Sequence, residues 1–404
     1  MYLCTKILTK LLMNTQNTPV HVRLWHRDFW LMSIANMLLA MSVYILVPSF
    51  PVWLLETESY TQQEVGLAMG AFAVGLYVFG FFCSWLVQRF RRNRVCIYSI
   101  AAMIAAISIL YYVQGLTRYY VEFWVIVLQR MLMGATFGLA QMVLSSTLII
   151  DTSESDKRTE ANHSAAWFSR FAMSLGPVVG LLMFYYKNFD AVLLASIFCA
   201  ACAILLVLTV NFPFRTPSET VSVVSLDRFL LKGSLPLFVN LLLISMAIGM
   251  VMSLGLSERF YAFIMVGFLL ALMAQRFVFR EAELKSEIVS GLILLLAVFI
   301  MIYTRPLPVV WYIAPLLLGL SVGIICSRFL LFFIKLSRHC QRGTSQSTFF
   351  LGWETGIALG LGMGYAFFLN DDKGLLWTTM ALTVAALMMY NHYTHKWFLT
   401  HKNR

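Results

Sequence analysis

Apolar blocks about the length of a membrane span alternate along this chain with short segments that carry charge, proline or glycine. The blocks run 29–54, 65–88, 95–115, 123–150, 164–186, 191–211, 235–256, 260–275, 288–304, 308–334, 346–369 and 375–391. A helix needs about 20 mostly apolar residues to cross a bilayer, and the twelve blocks are read as twelve such helices. Inside them the apolar positions follow a helical period or run unbroken. They do not alternate with a period of two, which excludes a barrel of membrane-spanning strands. The pattern predicts an all-α membrane protein.

Composition agrees with the pattern. The 404 residues are 60% hydrophobic and 12% charged, with a mean hydropathy of +0.78. Soluble proteins are near half apolar and about a quarter charged, so this chain has too little charge to cover a water-facing surface. The charges it has are placed unevenly. With the N-terminus taken as cytoplasmic, 22 of the 30 Lys and Arg fall in inside segments, among them Arg89, Arg91, Arg92 and Arg94. Five fall outside (Arg118, Lys187, Arg259, Arg305 and Lys373), and three fall within spans: Arg130, Arg170 and Arg328. This bias predicts cytoplasmic termini. The net charge of +11 then reflects anchors facing anionic lipid rather than a nucleic-acid surface.

The remaining reactive residue types add little chemistry. Seven cysteines form no disulfide framework, and the Cys199–Cys202 pair lies in an apolar helix, where packing is the simpler role. His392, His395 and His401 stand near the end without an acid or cysteine beside them, so no metal site and no cofactor is expected. Residues 1–12 are basic and apolar but lack a small-residue cleavage site, and Met13 offers an alternative start.

Residues 212–234 form the longest polar interruption and divide the spans six and six. The expected order is a cytoplasmic segment 1–28, a six-helix bundle 29–211, a linker 212–234, a second bundle 235–391 and a tail 392–404. The halves echo each other: Gln88-Arg89-Phe90 closes the second span and Gln275-Arg276-Phe277 the eighth, and Asn36 and Asn240 sit early in the first and seventh. Span four holds Arg130-Met131-Leu132-Met133-Gly134 with Gly138 one turn on. Span five holds Gly176-Pro177-Val178-Val179-Gly180-Leu181. Gly352, Gly356, Gly360 and Gly364 repeat every four residues in span eleven, which lets helices approach closely. That ladder reads either as packing or as a sliding surface between the halves.

On these residues the chain resembles the major facilitator superfamily over essentially its whole length. The family loop after span two, G-x-x-x-D-R-x-G-R-R, reads here as Ser84-Trp85-Leu86-Val87-Gln88-Arg89-Phe90-Arg91-Arg92-Asn93, with both glycines and the acid replaced. The span-four R-x-x-x-G and part of the span-five antiporter pattern are present. Residues 342–356 look like the tenth-to-eleventh-span region of bacterial efflux-type members. The resemblance implies two pseudo-symmetric six-helix bundles, with spans one, four, seven and ten around a central cavity, acting as a monomer in a bacterial inner membrane.

Glu354 lies well inside a span, which makes it a functional candidate because burying an ionisable group in lipid is costly. Glu287 falls just outside the edge of span nine, with water in reach. Arg328 comes about seven residues before the end of span ten and Glu354 about eight after the start of span eleven. The two are therefore expected at one depth, and as a pair. Pairing would hold Glu354 ionised and make it a poor proton carrier; unpaired, it can take up a proton. Arg170 corresponds to Glu354 at the 184-residue offset that aligns Arg158 with Arg342. Asp151 or Glu160 is a simple partner for it.

Arg130, Arg328, Glu354, Asn36, Asn240 and Gln141 are the expected substrate or coupling residues. Gln88, Arg89, Gly134, Gly138, Arg170, Gly176, Pro177, Gly180, Gly352, Gly356 and Gly360 are the expected conformational or packing residues. Met246, Met250, Met252, Trp311 and Tyr312 offer an apolar wall. Three in-span Arg against one Glu favour an anionic or zwitterionic solute. The expected activity is secondary transport of a small organic solute, with proton-coupled efflux first and proton-driven uptake second. The sequence has no Walker-type loop for ATP and no clustered acid–base or nucleophile set for an enzyme.

Overall fold

A computed structural model describes residues 24–403, apart from 57–59, 117–121, 155–156, 213–221, 280–282, 305–306 and 339–340, and apart from the side chains of 113–116. Residues 1–12, Met13 and residues 213–221 of the linker therefore lie outside the described residues. The rest forms helices that number as the spans do. They are α1 (Arg27–Glu56), α2 (Gln62–Arg89), α3 (Arg92–Leu116), α4 (Phe123–Asp151), α5 (Arg158–Tyr186) and α6 (Phe189–Thr209). The second bundle comprises α7 (Leu235–Met252), α8 (Glu258–Phe277), α9 (Leu284–Thr304), α10 (Val310–Leu336), α11 (Arg342–Phe368) and α12 (Asp372–His401). The face where α1 begins and α12 ends is here the near face, and its opposite the far face.

Eleven of these helices are long and apolar enough to cross a membrane. α11 has the length, 27 residues or about 40 Å at 1.5 Å per residue. It is less apolar because its surface is covered by protein rather than lipid. Most of it is buried, wedged against α7 on one side and α2 on the other.

Local irregularities follow from the side chains. Pro48 has no N–H to give to the carbonyl of Tyr44, four residues back, and α1 breaks at Ile45. In α4, Ser145 and Ser146 bond back to the carbonyls of Gln141 and Met142 at 2.7 and 2.5 Å, and Thr147 bonds back to Val143. Such back-bonding loosens the backbone ladder, and here Leu144–Leu148 widens into a π turn.

The sequence pattern misplaced several helix ends: α5 begins at Arg158 rather than 164, and α9 at Leu284 rather than 288. α11 starts at Arg342, a turn before the apolar block, because Arg342-Gly343-Thr344-Ser345 is polar yet packed between the bundles. The tail expected at 392–404 is helical through His401, passing a π turn at Tyr390–Thr394 and docking Phe398 on Phe332 with ring centroids 4.2 Å apart.

The glycine ladder of α11 packs inside the second bundle. Gly352, Gly356, Gly360 and Gly364 all face α7, where Phe238, Ser245, Gly249 and Ser253 meet them. It is not the sliding surface between the halves. The seam uses Gly362 instead, whose missing side chain faces Gly66 and Gly70 of α2. Likewise Gly134 and Gly138 admit α2, and Gly176 and Gly180 admit α1 at Tyr44 and Ile45. A Val at position 360 would run into the α7 backbone at Met246 and Met250. Gly360→Val is therefore expected to destabilise the protein by about 1–3 kcal/mol. Gly70→Ala, with nothing within 4 Å of the added carbon, is expected to be neutral. Thermal melts of the two purified variants check both.

Candidate functional site

The halves touch at both ends. Near the far face, Gly66 of α2 packs on Ala366 of α11, and Ser174 of α5 donates to the Tyr261 carbonyl at 2.6 Å. Near the near face, Gly343 of α11 lies against Ser146 of α4, and Phe137 packs on Phe350 with centroids 5.7 Å apart. Between these closures is a cavity of about 40 Å³, lined by Gln141, Ser145, Ala166, Ser169, Arg170, Cys326, Gln346, Phe349, Phe350, Trp353 and Glu354. One water needs at least roughly 10–15 Å³ of such volume, so the space admits only a few waters. Contacts between the halves flank this cavity on both sides.

Glu354 and Arg170 each lie twelve residues into their helix, about 18 Å deep. The equal depth follows from the 184-residue offset. Glu354 is buried, and both its oxygens accept from one donor, the Tyr44 hydroxyl, at 3.1 and 3.2 Å. Tyr44 stands at the break in α1, with Gly176 of α5 close behind its Cβ. Arg170 donates to Ser327 at 2.8 Å and stacks over Trp167 at 4.5 Å. Its Nε and second terminal nitrogen are buried without a hydrogen-bond partner. Gln141 and Gln346 each bring a carbonyl oxygen in the same condition. Residues lining one cavity thus carry unpartnered donors and acceptors, which buried polar groups rarely keep.

The expected site residues divide. Gln141 donates to Asn36 at 2.6 Å, and Asn36 in turn reaches Ser169 at 2.7 Å and the Ala165 carbonyl at 3.2 Å. These bonds place Asn36 directly behind the cavity wall. Asn240 is remote, bonded to the Ala386 carbonyl of α12 at 3.0 Å. Arg130 lies toward the far face inside the first bundle, 4.8 Å from the Phe50 ring and 5.3 Å from that of Phe72. The sulfurs of Met133 and Met69 complete its cage at 3.6 and 3.9 Å, and it has no carboxylate partner among the described residues. Gln88 caps back onto Ser84 at 2.9 Å, and Arg89 is exposed at the near face. Pro177 sits within α5.

Arg328 does not meet Glu354. It pairs with Glu287, which is fully buried in the first turn of α9 rather than standing in water at its edge. The early start of α11 lifts Glu354 about one turn above the depth its apolar block implied. Arg170 takes neither Asp151 nor Glu160 as partner; Asp151 pairs with Arg92. Trp311 and Tyr312 are exposed and form no wall of the cavity. The residue that sequence reasoning missed is Tyr44. Its signal was Pro48, four residues on, which marks the kink that turns it inward.

A family model described as Major Facilitator Superfamily matches residues 32–361. No curated protein matches the chain in sequence. Among solved structures, the fold is similar to that of the human organic anion transporter MFSD10 (TETRAN), with a TM-score of 0.66 and 14% identity over 89% of this chain and 98% of that one. It is similar to the POT family transporter PepTSo, with a TM-score of 0.68 and 11% identity over 93% and 99% of the two chains. A D-xylose-proton symporter gives a TM-score of 0.65 and 14% identity over 90% and 96%.

Proposed function

The chain belongs to the major facilitator superfamily, a family of membrane transporters, and on that premise we propose that it exports a small organic solute by alternating access in exchange for protons. In this reading Glu354 carries the proton and Arg170 receives an acidic group of the solute. The supporting observation is that the two stand at equivalent depths in opposite halves and line one cavity. A rocking motion that opens the cavity to either face exposes both to water on that side in turn. A carboxyl whose bonds come from one tyrosine keeps the freedom to gain and lose a proton that an ion pair with Arg328 would have denied it.

The unpartnered Arg170 nitrogens support an anionic or zwitterionic solute, since a buried guanidinium is best satisfied by a carboxylate or phosphate. The partial span-five signature at Gly176, Pro177 and Gly180 supports antiport. The excess of buried cations, Arg130 with Arg170, favours a second reading, proton-driven uptake of an anion. In this reading the chain sits in a bacterial cytoplasmic membrane, as the family resemblance implies, and the charge bias supports having both termini inside.

Proteoliposomes with an imposed pH gradient test the reading. Organic acids and zwitterions are expected to move against their own gradient, and the movement should stop when a protonophore collapses the pH difference. Movement opposite to proton flow supports export, and movement with it supports uptake. Passive equilibration unaffected by the pH difference would overturn proton coupling.

A further inference from the structure

A second cavity lies at the near face, between the halves, and has a different character. Its volume is about 210 Å³, against about 40 Å³ for the central cavity. The charged residues lining it are Arg92, Arg158, Arg228, Arg342, Asp151 and Asp227. Among the described residues, four guanidiniums thus face two carboxylates. One carboxylate, Asp151, pairs with Arg92. The other, Asp227, is 4.0 Å from Arg228 and accepts from the Thr344 hydroxyl at 3.0 Å. The buried Nε of Arg158 has no hydrogen-bond partner. Three long helices, α3, α5 and α11, begin at or beside the cavity with Arg92, Arg158 and Arg342, and so direct the positive ends of their dipoles at it.

The lining is built rather than incidental. Arg228 holds a φ of 60°, a conformation a long side chain rarely adopts, and its N–H is fixed by the Thr344 hydroxyl at 2.9 Å. Burial lowers the affinity of the Arg228 guanidinium for its proton, and the neighbouring Arg92 lowers it further. The cluster therefore keeps cations close together at a cost, and an anion would relieve it.

We propose that this cavity binds a phosphate-bearing anion, which joins Arg92 and Arg158 of the first half to Arg228 of the linker and Arg342 of the second. Planar guanidiniums suit the paired oxygens of phosphate, and the cavity has room for a diphosphate with its waters. The anion spans both halves, so it stabilises the conformation closed at this face. The proposal does not depend on the transport reading, because binding is measurable without flux.

The experiment titrates inorganic pyrophosphate into the purified full-length protein at fixed ionic strength, reading heat of binding and thermal midpoint. One site per chain is expected, with a raised midpoint. Arg158→Gln, which removes a half-exposed side chain, should weaken binding about tenfold or more, the loss of a hydrogen bond to a charged group. Arg342→Gln should act in the same direction. Arg276→Gln, an exposed cation on the same face, should leave binding unchanged. Repeating the titration in phosphatidylglycerol and phosphatidylcholine nanodiscs separates the sources. Competition only by phosphatidylglycerol identifies a lipid headgroup as the natural ligand, and equal binding in both identifies a soluble phosphate. No binding by the unmodified protein would overturn the proposal. So would equal weakening by Arg276→Gln, or unchanged binding in both Arg158→Gln and Arg342→Gln.

Discussion

Glu354→Gln is expected to abolish solute movement driven by a pH gradient while solute-for-solute exchange continues. Glutamine has nearly the volume of glutamate and can still accept from the Tyr44 hydroxyl, now 3.1 and 3.2 Å from the two carboxylate oxygens. The geometry around position 354 should therefore survive, and what is lost is the titrating proton. Exchange needs only that the loaded cavity reorient; accumulation needs the proton to be loaded on one side and released on the other. Both quantities are measured in the same proteoliposomes, with radiolabelled solute inside or outside. Equal loss of both would remove Glu354 from coupling and leave it a structural acceptor for Tyr44. Survival of both would show that the proton travels by another group.

Much of the fold was legible because lipid imposes a simple rule: every span must be about 20 residues and apolar, and the breaks between spans must carry the charge. That rule fails where protein, not lipid, covers a helix. It placed the start of α11 a turn late, because Arg342 to Ser345 are polar residues packed between the halves. That single turn is what made Arg328 look level with Glu354. The site was half legible. Glu354, Arg170 and Gln141 stood out as polar residues in apolar spans, and they line one cavity. Tyr44 did not, since a tyrosine in a membrane helix is ordinary and only the backbone break after it turns its hydroxyl toward α11. Asn36 and Asn240 echo each other in sequence but not in partner: one bonds toward α5 and the other toward α12. Sequence repeats report common descent of the halves, while side-chain partners depend on packing that has since diverged.

The pair that was not foreseen carries the largest expected effect on stability. Glu287 is fully buried and Arg328 is partly buried, its side chain 19% exposed, and each is the other's charge partner. Glu287→Ala leaves the Arg328 guanidinium with no carboxylate, and removing one member of a buried pair costs about 3–5 kcal/mol. Purified Glu287→Ala protein should melt well below the unmodified protein, or fail to accumulate in the membrane. The paired replacement Glu287→Leu with Arg328→Met removes both charges and fills similar space, and such exchanges are often neutral or stabilising. It is expected to restore the thermal midpoint. If the double variant is stable and transports normally, the pair only joins α9 to α10. If it is stable but inactive, the charges serve the conformational cycle. An unchanged midpoint in Glu287→Ala would mean that Arg328 reaches water at the near face along its own side chain, and the ion pair would then contribute little to holding the second bundle together.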